Sequence, residues 1–251
     1  MLTIAQPEKV RDLFGGWEET MIDSCLSGIM GKLLTNADGT GASAEVGCFR
    51  LLAGKPDPLL VTEPLPGGFF VLVPQNEEWA RLIERCYPNT ARRVRRYAIR
   101  KDTVFDRDRL RQLAGCAPEG YTFSFIDGSL YDRCLEEVWS QDFVSNYGSR
   151  EAFLEKGLGV VALFGGALVA GASSFSTYSG GIEIEVDTRQ DHRRKGRATA
   201  CAARLILACL DRGWYPSWDA QNVWSVGLAE KLGYRFSHTY TAFEITGEEQ
   251  L

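Results

Sequence analysis

Apolar residues recur at four-residue steps at Met21, Cys25, Ile29 and Leu33, which predicts a helix over residues 18–33 with that stripe turned into a core. The period then changes. Short apolar runs predict strands over 45–52 and 68–73, a helix over 77–86 and a further strand over 92–100, a mixed α/β layer. The stretch Ala114-Gly115-Cys116-Ala117-Pro118-Glu119-Gly120 is rich in residues that end regular structure and separates segments of different texture. It predicts two domains, 1–117 and 118–251.

After this break the pattern predicts helices over 129–139 and 150–156, with a loop over 140–148 between them. Apolar strands follow over 159–164 and 167–177, joined by Gly165-Gly166, a two-residue turn whose backbone favours glycine. A third strand, 181–188, completes an antiparallel meander and leads through a basic loop into an alanine-rich helix over 198–211, with Gly213 as its terminator. A strand over 215–220, a helix over 223–232 stopped by Gly233, and strands across 234–245 close the chain. The expected fold class is α+β, a mixed and mostly antiparallel sheet flanked by helices, with a smaller N-terminal α/β domain.

Composition narrows the function classes. The 251 residues are 45% apolar and 24% charged, no apolar run approaches the roughly 20 residues needed to cross a bilayer, and the first residues lack the character of a signal peptide. A cytoplasmic protein with no membrane partner is expected. The seven cysteines are odd in number, scattered and never spaced as Cys-x-x-Cys, so reduced thiols are expected rather than a disulfide framework or zinc cluster. With His192 and His238 as the two histidines, no metal site is expected. A net charge of −5 makes nucleic acid an unexpected partner. Two basic runs stand against that charge, 92–101 and 189–197, and the first carries Val94, Tyr97 and Ile99 within it, as a partly exposed strand would.

The candidate chemistry sits in the second run. Thr188-Arg189-Gln190-Asp191-His192-Arg193-Arg194-Lys195-Gly196-Arg197-Ala198 follows a strand and opens a helix. Amides at a helix start are unsatisfied and the helix dipole places positive potential there, so such a turn can cradle a pyrophosphate. Gly196 lets the backbone approach a ligand, Ala198 and Thr199 keep the first turn open, and five positive charges between Arg189 and Arg197 add attraction.

Arg193-x-x-Gly196-x-Ala198 resembles the pyrophosphate loop Gln/Arg-x-x-Gly-x-Gly/Ala of the N-acetyltransferase superfamily called GNAT. A second segment, from Asn222 through Ser225, Leu228 and Lys231 to Gly233-Tyr234, resembles the family's later Asn-x-x-Ala/Ser-x-x-Leu-Tyr-x-Lys-x-Gly-Phe/Tyr. With the order of elements, the resemblance covers Tyr121 to Ile245. It implies acetyl-CoA as co-substrate, held by the loop residues Arg193, Arg194, Lys195, Gly196, Arg197, Ala198 and Thr199. The cofactor arm would lie where the strand ending at Thr188 splays from the strand over 215–220, against backbone groups of Val186, Asp187 and Thr188. Asn222 would bond the arm, cap the next helix, or both.

Acetyl transfer to an amine needs a neutral amine, a polarised thioester carbonyl and a proton for the leaving thiolate. Glu183 and Glu185 share one strand face by period two. The resemblance makes Glu183 the carboxylate that accepts the amine proton, with Glu185 beside it; an ion-paired exposed strand face is the alternative for both. The family's usual acid, a tyrosine, is replaced by Ala229, leaving Ser225, Tyr240 or water as the source of that proton. The expected activity is acetyl transfer to a primary amine of a small molecule or protein, with Trp139, Phe143, Tyr147 and Tyr240 as candidate pocket walls, although aromatics at such places more often belong to the core; the alternative is a catalytically weak regulatory protein that binds acetyl-CoA. The N-terminal domain would be a degenerate copy of the same fold, a substrate lid or the unit of a homodimer.

Overall fold

The computed structural model describes residues 1–65, 68–116 and 119–246. They form two compact units, one of Met1–Arg96 together with the chain from Thr239 onward, the other of Tyr97–His238. The expected boundary at 117/118 lies outside the described residues, and the elements on either side of it both belong to the second unit.

The first unit contains β1 (Thr3–Ile4), α1 (Pro7–Val10), α2 (Thr20–Leu26), β2 (Lys32–Thr35), β3 (Gly41–Val46), β4 (Phe49–Gly54), α3 (Pro58–Thr62), β5 (Phe69–Pro74), α4 (Glu77–Cys86) and most of β6 (Ala91–Ile99). The expected helix over 18–33 ends at Leu26. Gly28 and Gly31 adopt left-handed φ of 69° and 79°, breaking the helix so that Leu33 enters the core from β2. The expected strand over 45–52 is two strands of a hairpin, turning at Gly47 with φ 55°. α4 occupies the residues that its periodicity predicts, with Asn76 accepting the Glu78 and Trp79 amides as N-cap. Leu52, Leu60, Leu72, Trp79, Ile83 and Phe243 fill this unit's core.

Inside it, Arg50 is fully buried. Its Nε donates to Glu45 Oε1 at 2.8 Å and its Nη1 to the Leu60 and Val61 carbonyls at 3.1 Å each, so one guanidinium joins β3 to the last turn of α3. Two exposed arginines of the basic run on β6 are ion-paired: Arg92 meets Glu244, and Arg93 meets Glu77 at 2.9 Å and Glu84 at 3.3 Å.

The second unit continues with α5 (Arg107–Gly115), β7 (Tyr121–Phe125), α6 (Gly128–Leu135), α7 (Arg150–Lys156), β8 (Gly159–Phe164), β9 (Ala167–Tyr178), β10 (Gly181–Thr188), α8 (Arg197–Asp211), β11 (Tyr215–Ser217), β12 (Asp219–Ala220), α9 (Val223–Leu232) and the start of β13 (Phe236–Thr246). The periodicity missed α5 and β7. Its sheet runs β11-β10-β9-β8-β7, antiparallel except for β10 with β11. Val160, Ala170, Ile182 and Ile184 pack against Cys201, Leu205 and Cys209 of α8 to form the core. The architecture is the expected α+β one, mostly antiparallel sheets flanked by helices.

Candidate active site

β10 and β11 pair only from Gly181↔Tyr215 to Glu183↔Ser217. Beyond Ser217 the chain turns at Trp218, and β12 pairs instead with the end of β6, Asp219 opposite Ala98. The single strand expected over 215–220 is therefore two, joined to different sheets. Among the described residues no strand covers the outer edge of β10 from Ile184 onward, which leaves a V between the two arms.

Two hydrogen bonds settle which backbone groups face the V. The Tyr215 amide donates to the Gly180 carbonyl at 2.8 Å, and the Arg189 amide donates to the Val169 carbonyl on β9 at 2.9 Å. Along a strand these directions alternate, so Ile184, Val186 and Thr188 present their amides and carbonyls to the V while Asp187 turns its own toward β9. Thr188 is already engaged: its amide donates to Asp187 Oδ1 at 2.6 Å, and its carbonyl accepts from Arg193 Nε at 3.0 Å. Of the three residues expected to bind the arm, Val186 is the one whose amide and carbonyl both face the V beyond the last pairing with β11; at Ile184 the pairing of Glu183 with Ser217 engages the amide and leaves the carbonyl facing the V.

The loop after β10 turns through left-handed residues at Arg194 (φ 59°) and Gly196 (φ 77°). Bonding within α8 starts with the Ala200 amide on the Gly196 carbonyl at 3.1 Å, so the amides of Arg197, Ala198 and Thr199 point outward past a residue with no side chain. Among the described residues, no atom beyond its own chain neighbours lies within 4 Å of where a Gly196 Cβ would stand. The positive φ favours glycine here, and the space in front of the amides is open. The cationic side chains are less concentrated than their sequence spacing implies. Arg189 is bound to Asp191 at 2.8 Å, Arg193 reaches Asp187 at 3.4 Å, and Lys195 donates to the Asp191 carbonyl at 3.0 Å. Arg197 is buried with its guanidinium 4.0 Å above the Tyr121 ring, and the Tyr121 hydroxyl shares a 2.8 Å hydrogen bond with His192 Nδ1. Arg194 is exposed.

Ile182, Ile184 and Val186 pack toward α8, so Glu183, Glu185 and Asp187 occupy the opposite face of β10, as period two predicts. Glu183 is 4% exposed, with Lys101 Nζ 3.9 Å from its Oε2. Asp142 belongs to the same face. Neighbouring protein raises its carboxyl above the usual range although the residue is exposed, and the Asp187 charge adds to the rise. Neither Lys101 nor Asp142 carries a sequence signal, since loop packing brings both to this face.

The candidate acids separate. Ala229 is fully buried, and Ser225 Oγ accepts the Trp218 indole proton at 3.1 Å. Tyr240 belongs to the first unit, where its hydroxyl accepts from Arg96 Nε at 3.2 Å. Phe143 and Tyr147 are core rather than pocket wall. The Phe143 ring fills the space that a Cβ at Gly171 would need, and the Tyr147 hydroxyl bonds Ser174 and Thr177, burial pushing its pKa up to about 12. Trp139 is half-buried and packs at right angles to the Phe143 ring. Asn222 caps α9, accepting the Trp224 and Ser225 amides at 3.0 Å each.

A family model described as GNAT acetyltransferase matches residues 11–243. The chain belongs to the GNAT acetyltransferase family. The match takes in both units, whereas the sequence motifs covered only the second, and it carries acyl transfer as the general chemistry. A GCN5-related N-acetyltransferase-like protein from Streptococcus suis 89/1591 has 48% sequence identity and a TM-score of 0.92, covering 96% of this chain and 98% of that one. A GCN5-related N-acetyltransferase from Sphaerobacter thermophilus, at 15% identity, shares the fold with a TM-score of 0.57 over 98% and 95% of the two chains. The uncharacterized N-acetyltransferase YdfB of Bacillus subtilis (strain 168) is 24% identical over 178 residues, 69% of this GNAT chain. The match spans 65% of YdfB, less than two thirds of its length. Among the described residues, no group of His, Cys, Asp and Glu could hold a metal ion, and no helix is long and apolar enough to cross a membrane.

Proposed function

We propose that this GNAT chain transfers an acetyl group from acetyl-CoA to a primary amine of a small molecule or protein. One observation carries the reading: the backbone edge of β10 that opens past Glu183, at the Ile184 carbonyl and at Val186, leads through one loop to the outward amides that start α8. The amides of residues 197–199 suit a pyrophosphate, and the edge suits the amide-bearing arm, which would add to it as an extra strand. Acetyl-CoA supplies the activated acyl group when bound. Glu183, at the apex of the V, accepts the proton that the amine loses, and Glu185, Asp187 and Asp142 make the same face attractive to a cation and repellent to an anion. The acceptor is therefore drawn as a cationic amine.

Calorimetry with acetyl-CoA, followed by thiol release with a panel of simple amines, tests the proposal. Micromolar binding and amine-dependent thiol release are expected, and a folded protein that binds no acetyl-CoA refutes it. A second reading, acetyl-CoA binding without turnover, draws on buried Ala229 where the family's tyrosine stands. Tight binding with no thiol release from any amine selects it.

A further inference from the structure

The basic run at 92–101 ends in a residue that does not share the surface role of its neighbours. Arg100 pairs with Asp102 at 2.7 Å, with half of each side chain exposed. Lys101 turns inward and is 18% exposed. Its ammonium donates to Ser217 Oγ at 2.7 Å and to the Trp218 carbonyl at 3.2 Å, and it stands 3.9 Å from Glu183 Oε2. Ser217 is the strand partner of Glu183 and the last residue of β11 before the arms divide. One cation therefore touches both arms at their apex.

The ammonium hydrogen-bonds a hydroxyl and a carbonyl and ion-pairs a carboxylate, three oxygens grouped around one cation, with Ser217 fully buried and Glu183 nearly so. Oxygens of like partial charge repel at short range where water is excluded, and a compact ammonium with several donors can satisfy them in different directions. Without it, the Glu183 carboxylate becomes a buried charge lacking this compensation, beside a carbonyl dipole.

We propose that Lys101 is the clasp of the V, a positioning residue that sets the opening between the β10 edge and the β11 arm and aims the Glu183 carboxylate. The inference rests on the reading of the V as the seat of acetyl-CoA. It has a signature that general destabilisation lacks: removing the Glu183 charge should relieve the loss of Lys101.

Acetyl-CoA calorimetry on wild type, Lys101→Met, Lys101→Arg and the double variant Lys101→Met with Glu183→Gln tests it, with circular dichroism confirming folding. Lys101→Met is expected to weaken binding about tenfold, as suits the loss of charge-assisted hydrogen bonds. The double variant and Lys101→Arg are expected to recover to within about threefold of wild type. Wild-type affinity in Lys101→Met, or a double variant as weak as Lys101→Met, overturns the clasp while the proposed function stands. A wild type that binds no acetyl-CoA overturns the function and the clasp with it. Should Lys101→Met not fold, a folded double variant supports the charge argument and an unfolded one overturns it.

Discussion

Gly196 separates backbone strain from phosphate recognition. Its φ of 77° and ψ of 7° are left-handed, and among the described residues a Cβ there would meet no atom beyond its own chain neighbours within 4 Å. An L side chain in that conformation costs about 1–2 kcal/mol through its own backbone and nothing through collision. At about 2–4 °C per kcal/mol for a chain of this size, Gly196→Ala should lower Tm by about 2–8 °C. Gly196→Glu pays the same strain, but its carboxylate lies at a helix N-terminus, where a negative charge gains about 0.3–1 kcal/mol. The Glu variant should thus be no less stable than the Ala variant. Affinity for acetyl-CoA should run the other way. One carboxylate about 5 Å from one phosphate charge, at an effective dielectric of about 20, costs about 3 kcal/mol, roughly 200-fold. Thermal scans and calorimetry on the two variants, repeated at high salt to screen the repulsion, measure both orders. A Glu variant that binds acetyl-CoA within about threefold of the Ala variant refutes the placement of phosphate on these amides.

Arg50→Met should cost about 3 kcal/mol, because it leaves the Glu45 carboxylate with Lys32 at 3.0 Å and uncaps the Leu60 and Val61 carbonyls; a denaturant midpoint implying less than about 1 kcal/mol contradicts the buried-charge argument. Asn222→Ala should lose about 1 kcal/mol of helix capping. Asn222→Ser keeps a neutral capping acceptor and loses the amide group, so an unchanged Tm with weakened acetyl-CoA binding would show a second role for this side chain, and unchanged affinity would leave it a cap alone. Cys25, Cys134, Cys201 and Cys209 are each raised from 9.0 to about 12 by burial. The folded state thus favours the neutral thiol, whose stabilisation is complete below pH 9 and is lost as the unfolded chain ionises above it. Stability should fall by about 1.4 kcal/mol per pH unit for each such thiol between about pH 9 and 12, and denaturation midpoints that stay level from about pH 8 to 10 would contradict this.

Local order decided much of this protein in advance. The strands at 159–164 and 181–188 and the helices at 77–86, 150–156 and 223–232 stand where periodicity puts them, because each element's apolar period and its caps, such as Asn222 with Gly233, act within a few residues. Glycines act as locally, and Gly28, Gly31 and Gly47 break longer apolar runs whose period alone predicts continuous elements. The phosphate-type loop was legible for the same reason, since a strand end, a glycine and a helix start are consecutive in the chain. What the tertiary structure alone decided is who meets whom. Lys101 and Glu183 are 82 positions apart, and only the splitting of β11 from β12 brings them together. Arg197 reads as a phosphate cation until Tyr121 takes its guanidinium, and Asp187 reads as an edge residue until the pairing with β9 fixes its direction. Periodicity reports which face of an element is apolar. The direction of an edge, and the partner of a buried charge, depend on contacts between segments that no local pattern encodes.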